Sequence, residues 1–123
     1  MSESEDWSFG GRRTALGVRP SVQPRVSFDR VELDTILQVY GRKVAEGEWR
    51  DYAIDLLEDR AVFSIYRRTS ELPIYRVEKL PTLARKQGAY RIVAPTGAIL
   101  KRGHELASVL RFLDRPRLSL VRA

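Results

Sequence analysis

Between Asp29 and Gly47, apolar side chains recur at Leu33, Ile36, Leu37, Tyr40 and Val44. Steps of three and four residues lay one apolar stripe along an α-helix. Asp29 is placed to cap that helix, with Glu32 three residues on returning the bond in a capping box. Glu32, Asp34, Arg42, Lys43 and Glu46 are expected away from the centre of the stripe. Gly41 weakens a helix interior by about 1 kcal/mol, which predicts a close packing contact there. Gly47 is the expected stop.

Beyond Gly47 the pattern changes to short β-branched and aromatic runs separated by turn residues. Residues 52–57 and 61–66 form a predicted hairpin through Glu58-Asp59-Arg60. Thr69-Ser70-Glu71 turns the chain into a third strand over 73–79. Pro81 to Gly88 is a basic connector, with room for one helical turn around Thr82 to Lys86. Pro95-Thr96-Gly97 joins strands at 90–93 and 98–101. A second helix is predicted over His104–Asp114, with Leu106, Val109, Leu110 and Leu113 as its stripe and Pro116 as its end. Residues 118–121 read as a sixth, edge strand or as a tail.

This order predicts an α+β fold of two layers. An antiparallel sheet of about five strands carries the N-terminal and C-terminal helices on one face. Residues 1–26, rich in Ser, Gly, Arg and Pro, read as a disordered arm, and 27–123 as a single α+β domain. Strand alternation sorts the sheet into two faces. Tyr52, Ile54, Leu56, Phe63, Ile65, Tyr75, Val77, Tyr90 and Ile92 form the face that receives the helices. Asp55, Ser64, Tyr66, Arg68, Arg76, Glu78, Arg91 and Lys101 form the other.

Charge changes the picture of that second face. Residues 27–60 hold five basic and nine acidic side chains, whereas 61–123 hold thirteen basic and four acidic ones. The net charge is +6 and the sequence pI about 10.1, a balance that favours nucleic acid, ribosomes or an acidic membrane surface as partners. The acidic start Met1-Ser2-Glu3-Ser4-Glu5-Asp6 is unlike a signal peptide, and no window approaches a membrane span. With no cysteine, a bacterial cytoplasmic address is expected.

Several segments carry a resemblance. They are Tyr40-Gly41-Arg42, residues 47–55 (GEWRDYAID), residues 61–68 (AVFSIYRR), Pro73-Ile74-Tyr75-Arg76, Ala84-Arg85-Lys86-Gln87-Gly88 and Leu100-Lys101-Arg102-Gly103. In this order, over roughly residues 28–113, the chain resembles a family of short, uncharacterised alphaproteobacterial proteins filed as a domain of unknown function. The resemblance implies a bacterial cytoplasmic protein with a compact domain. It brings no activity, cofactor or catalytic residue with it.

The chemistry of the residues narrows the field further. Absent cysteine and a lone His104 remove thiolate nucleophiles and the usual zinc sites. No G-x-S-x-G, G-x-G-x-x-G or P-loop pattern occurs, so an enzyme is poorly supported and no cofactor is expected. Asp51 and Asp55 share a strand face. They either hold Mg²⁺ or act as an acid–base pair, or else they pair with Arg68, Arg76 or Arg91 on neighbouring strands. The basic residues Arg67, Arg68, Arg76, Lys79, Arg85, Lys86, Arg91, Lys101 and Arg102 are the strongest lead. Arg85-Lys86-Gln87-Gly88 joins cations to a backbone suited to close phosphate approach, and Tyr66 is placed to stack a base.

Two functions compete on this basis. One is a small basic module that contacts RNA, the ribosome or another polyanion through the Arg/Lys-rich sheet face. The other is an adaptor or interaction subunit that docks on an acidic protein, using Trp7 and Phe9 of the arm as anchors.

Overall fold

Helix α1 spans Arg30–Ala45 and starts as its sequence dictates. The computed structural model describes residues 25–68 and 72–114. Asp29 Oδ1 accepts the Glu32 N–H at 2.8 Å, and Glu32 Oε1 accepts the Asp29 N–H at 2.8 Å. The reciprocal bonds satisfy two donors that every helix start would otherwise leave unpaired. At the other end Gly47 adopts φ = 80°. Its N–H bonds Val44 O and the Glu48 N–H bonds Lys43 O, each at 2.9 Å, closing the helix in a Schellman turn.

The buried stripe of α1 is rotated from the predicted one. Ile36 and Val39 are its buried apolar members, with Leu33, Leu37 and Tyr40 half-buried beside them and Val44 40% exposed. Glu32 and Lys43, expected to face away, are buried. Each carries partners that make burial tolerable. Lys43 Nζ lies 3.6 Å from Glu46 and 4.0 Å from Glu48, and Glu32 meets Lys79 and Tyr90. Gly41 is exposed, and a Cβ added there meets nothing within 4 Å. The expected packing contact is therefore absent. Gly41→Ala is expected to stabilise the protein by about 0.5–1 kcal/mol, a rise of a few degrees in thermal midpoint by circular dichroism.

Five strands follow: β1 (Asp51–Leu56), β2 (Ala61–Tyr66), β3 (Tyr75–Lys79), β4 (Tyr90–Val93) and β5 (Ile99–Gly103). They form one antiparallel sheet in the order β1-β2-β3-β4-β5. A 3₁₀ turn over Pro81–Leu83 sits in the β3–β4 connector. Helix α2 covers only Leu106–Leu110 and tightens into a 3₁₀ turn over Arg111–Asp114, shorter than the continuous helix predicted. Its stripe is nonetheless the predicted one, with Leu106, Val109, Leu110 and Leu113 all buried.

The register confirms the apolar face residue by residue. Tyr52 pairs with Ile65 and Ile54 with Phe63. Phe63 pairs with Val77 and Ile65 with Tyr75, and Val77 with Ile92. Phe63, Ile65, Val77 and Ile92 are fully buried in one cluster with Ile36, Val39, Leu106, Val109, Leu110 and Leu113. Trp49, in the α1–β1 loop, completes this core. Its ring lies 6.0 Å from Tyr40 and 6.4 Å from Tyr75, while Tyr52 stacks on Phe63 at 4.8 Å and meets Tyr40 edge-on at 5.0 Å. This aromatic group seats the end of α1 on β1, β2 and β3.

One predicted face assignment is corrected. Lys101 pairs with Ile92 and so belongs to the helix-bearing face. The register shifts between Ile92 and Val93, where Val93 pairs with Ile99 and leaves Leu100 as an extra residue. Such a bulge reverses the alternation that a simple hairpin count assumes. The arm anchors Trp7 and Phe9, the turn at 69–71, Pro116 and the strand or tail at 118–121 lie outside the described residues.

Candidate polyanion-binding face

The sheet face opposite the helices carries two full cross-strand rows. One is Asp55, Val62, Glu78, Arg91 and Arg102; the next is Ala53, Ser64, Arg76, Val93 and Ile99. Beyond them Tyr66 stands opposite Asp51. This face is less open than its composition suggests. Val62, Ser64, Glu78 and Val93 are all buried.

Glu78 organises it. Its side chain is only 4% exposed, and three arginines converge on it. Arg91 Nε donates to Oε1 at 2.8 Å, Arg60 Nη1 to Oε1 at 3.2 Å and Arg76 Nε to Oε2 at 3.4 Å. Arg60 spends its remaining donors on Asp59, at 3.4 and 3.2 Å. That pairing raises the Arg60 pKa and lowers that of Asp59. A buried carboxylate needs such partners, and three cations around Glu78 and Asp59 leave a single positive excess. Arg76 and Arg91 therefore pair with Glu78, and not with Asp51 or Asp55 as one reading had it.

The Mg²⁺ reading of Asp51 and Asp55 also meets geometry. Four residues apart on one strand, their backbones lie about 13 Å apart, too far to share one ion. Asp51 Oδ1 accepts the Tyr52 N–H at 2.9 Å. Among the described residues no group of three or more His, Cys, Asp or Glu side chains is placed to hold a metal.

The other cations fall in three places. Arg85 and Lys86 are exposed in the β3–β4 connector. Arg102, paired in register with Arg91, donates a short hydrogen bond to Gln87 of that connector. Arg67 and Arg68 follow β2 and are exposed. Lys79 lies on the helix-bearing face, where its Nζ bonds Glu32 Oε1 at 2.7 Å and Ser27 O at 2.9 Å. The structure thus brings Arg85, Lys86, Arg91 and Arg102 to one end of the sheet, and leaves Lys79 and Lys101 out of that group. Gly88 is corrected as well. It is buried, with its backbone against Gly103 and His104, so it offers no approach to a phosphate.

Sequence reasoning missed the hub role of Glu78 and the contribution of Arg60. A signal was present: Glu78 is the only acid between Leu72 and His104. A lone carboxylate on a central strand among arginines is the residue they would converge on.

Glu32 is a second buried carboxylate, on the helix side. It accepts a short hydrogen bond from the Tyr90 hydroxyl. Burial, followed by this bond, holds the Tyr90 pKa well above the ordinary value near 10. A phenol with a raised folded pKa contributes stability that is present below pH 10 and lost as pH rises above it. Unfolding midpoints of the wild type are therefore expected to fall above pH 10 more steeply than those of Tyr90→Phe. Tyr90, Glu32, Asp29, His104 and Glu105 line a cleft of about 410 Å³.

Meander sheet, one helix-covered face and an arginine-ringed carboxylate on the other together define a small α+β protein. The chain belongs to the family described as "Protein of unknown function (DUF2794)", whose model matches residues 26–110. Neither the curated proteins nor the solved structures contain a match to it. No helix of the described residues is long and apolar enough to cross a membrane.

Proposed function

We propose that the protein is a small binding module for RNA, contacting it through the basic end of the sheet. The observation that carries this reading is the grouping of Arg85, Lys86 and Arg102, joined through Gln87. These three are exposed, and none has a carboxylate partner among the described residues. Arg91 sits beside Arg102 on the strand, and Tyr66 at the far end of the face offers a ring for a base. Cations without internal acids have counter-ions to release, which is the main source of affinity for a phosphate backbone. A cytoplasmic location suits such a partner.

Fluorescence anisotropy with a labelled single-stranded RNA tests this. Four phosphate contacts give a log–log salt slope near −3, at about −0.7 per contact. Combined reversal of Arg85, Lys86 and Arg102 to Glu should weaken binding to all sequences alike. Binding without salt dependence overturns the reading.

The adaptor alternative rests on a different feature. Tyr52, Ile54 and Leu56 of β1, and Leu57 just after it, are 38–43% exposed. The chain entering from the arm meets that strip, since the Val26 N–H bonds Leu57 O at 2.9 Å. A nuclease-resistant, stoichiometric protein partner lost on Trp7→Ala favours it over RNA.

A further inference from the structure

Arg76 and Arg91 are unusual among the basic residues in being aimed by the same buried group. Each uses its Nε–H on Glu78, at 3.4 and 2.8 Å. Neither makes another hydrogen bond or ion pair among the described residues, so both guanidinium groups keep their two terminal nitrogens unengaged. A guanidinium fixed through Nε presents those nitrogens as a fork, the geometry that matches two oxygens of a phosphate. Side-chain exposures of 30% for Arg76 and 19% for Arg91 show that solvent reaches both.

A second observation points to the same place. Ser64 is the register partner of Arg76 and is 5% exposed. Its hydroxyl has no hydrogen-bond partner among the described residues. Buried hydroxyls rarely go unpaired, and one directly across the strands from Arg76 is a donor in want of an acceptor.

We infer that Arg76 and Arg91, oriented by Glu78 and assisted by the Ser64 hydroxyl, form a seat for a single phosphate group on the sheet face opposite the helices. The inference rests on the RNA reading above and narrows it: the connector cations attract the polymer, and this seat fixes one phosphate in register. Glu78 is a positioning residue in this arrangement, since it touches the arginines and not the ligand. With Arg60 also paired to Asp59, Arg76 and Arg91 share the one Glu78 charge, so the seat keeps an excess positive charge for an anion.

Arginine side-chain NMR on the full chain separates the two proposals. Titration with inorganic phosphate should shift the Nε–Hε resonances of Arg76 and Arg91, assigned by substitution, and leave that of Arg42, paired to Asp114 at 2.5 Å, in place. The Arg76→Lys/Arg91→Lys variant keeps the charge and loses the forks. It should weaken phosphate binding about tenfold, as expected for losing bidentate contacts, with the salt slope for RNA unchanged. Ser64→Ala should weaken phosphate binding by a smaller factor with an unchanged thermal midpoint. Phosphate shifts spread evenly over all arginines, or undiminished in the double lysine variant, would overturn the seat even where RNA binds. Phosphate shifts confined to Arg76 and Arg91 in a protein that fails to bind RNA would uphold the seat and sink the RNA reading.

Discussion

Glu78→Ala is expected to cost the protein about 3 kcal/mol, the low end of the range for removing one member of a buried ion pair. The low end applies because Arg60, Arg76 and Arg91 retain 19–30% side-chain exposure and can turn partly into water. For a chain of this size that loss lowers the thermal midpoint by about 12 °C or more. The cause is less the lost attraction than what remains: Arg76 and Arg91 packed over one site without their carboxylate, beside Arg60, which keeps only Asp59. A double-mutant cycle with Arg91→Ala, which has no other carboxylate partner among the described residues, isolates this. The second substitution should recover part of the loss, because it removes one of the stranded charges. A Glu78→Ala protein as stable as the wild type would show that the three arginines are solvated individually and that the carboxylate does not organise the face.

That hub also shows where sequence reading reached and where it stopped. The nine apolar residues from Tyr52 to Ile92 assigned to the helix-bearing face all lie there, because strand period is two and the hairpins are short enough to hold register. The capping box of α1 was legible because it is local, four residues speaking for themselves. Lys101 was misplaced because one extra residue in β5 reverses the alternation, and no residue type announces the bulge. Glu32 is expected away from the helix stripe and Lys79 among the polyanion-binding cations. Instead the two meet across 47 residues, Glu32 buried and Lys79 half-buried, and such pairing of polar groups leaves no periodic trace. The basic segment was visible in composition, but its division was not. Whether an arginine meets a carboxylate or solvent follows from register and rotamer, neither of which a charge count contains.

Gly88→Ala is expected to be the other severe substitution, for a reason unrelated to charge. Gly88 has φ = 97°, a region that costs an L-residue about 1–3 kcal/mol. A Cβ there would also lie 2.1 Å from Gly103 O and 2.2 Å from Gly103 C, both backbone atoms of β5. Backbone cannot swing aside as a side-chain end does, so the connector or the end of β5 must move, adding about 1–3 kcal/mol of overpacking strain. Gly97→Ala supplies the control. It shares the strained conformation, at φ = 95°, but its added Cβ meets nothing within 4 Å, so only the first cost applies. Chemical denaturation of the two variants should therefore separate conformational strain from steric conflict, with Gly88→Ala the less stable by at least 1 kcal/mol. Equal losses would mean that β5 yields at Gly103. The connector bearing Arg85 and Lys86 would then be held in place by the Leu80 N–H bond to Ala89 O and the turn at Leu83, and not by contact with the strand.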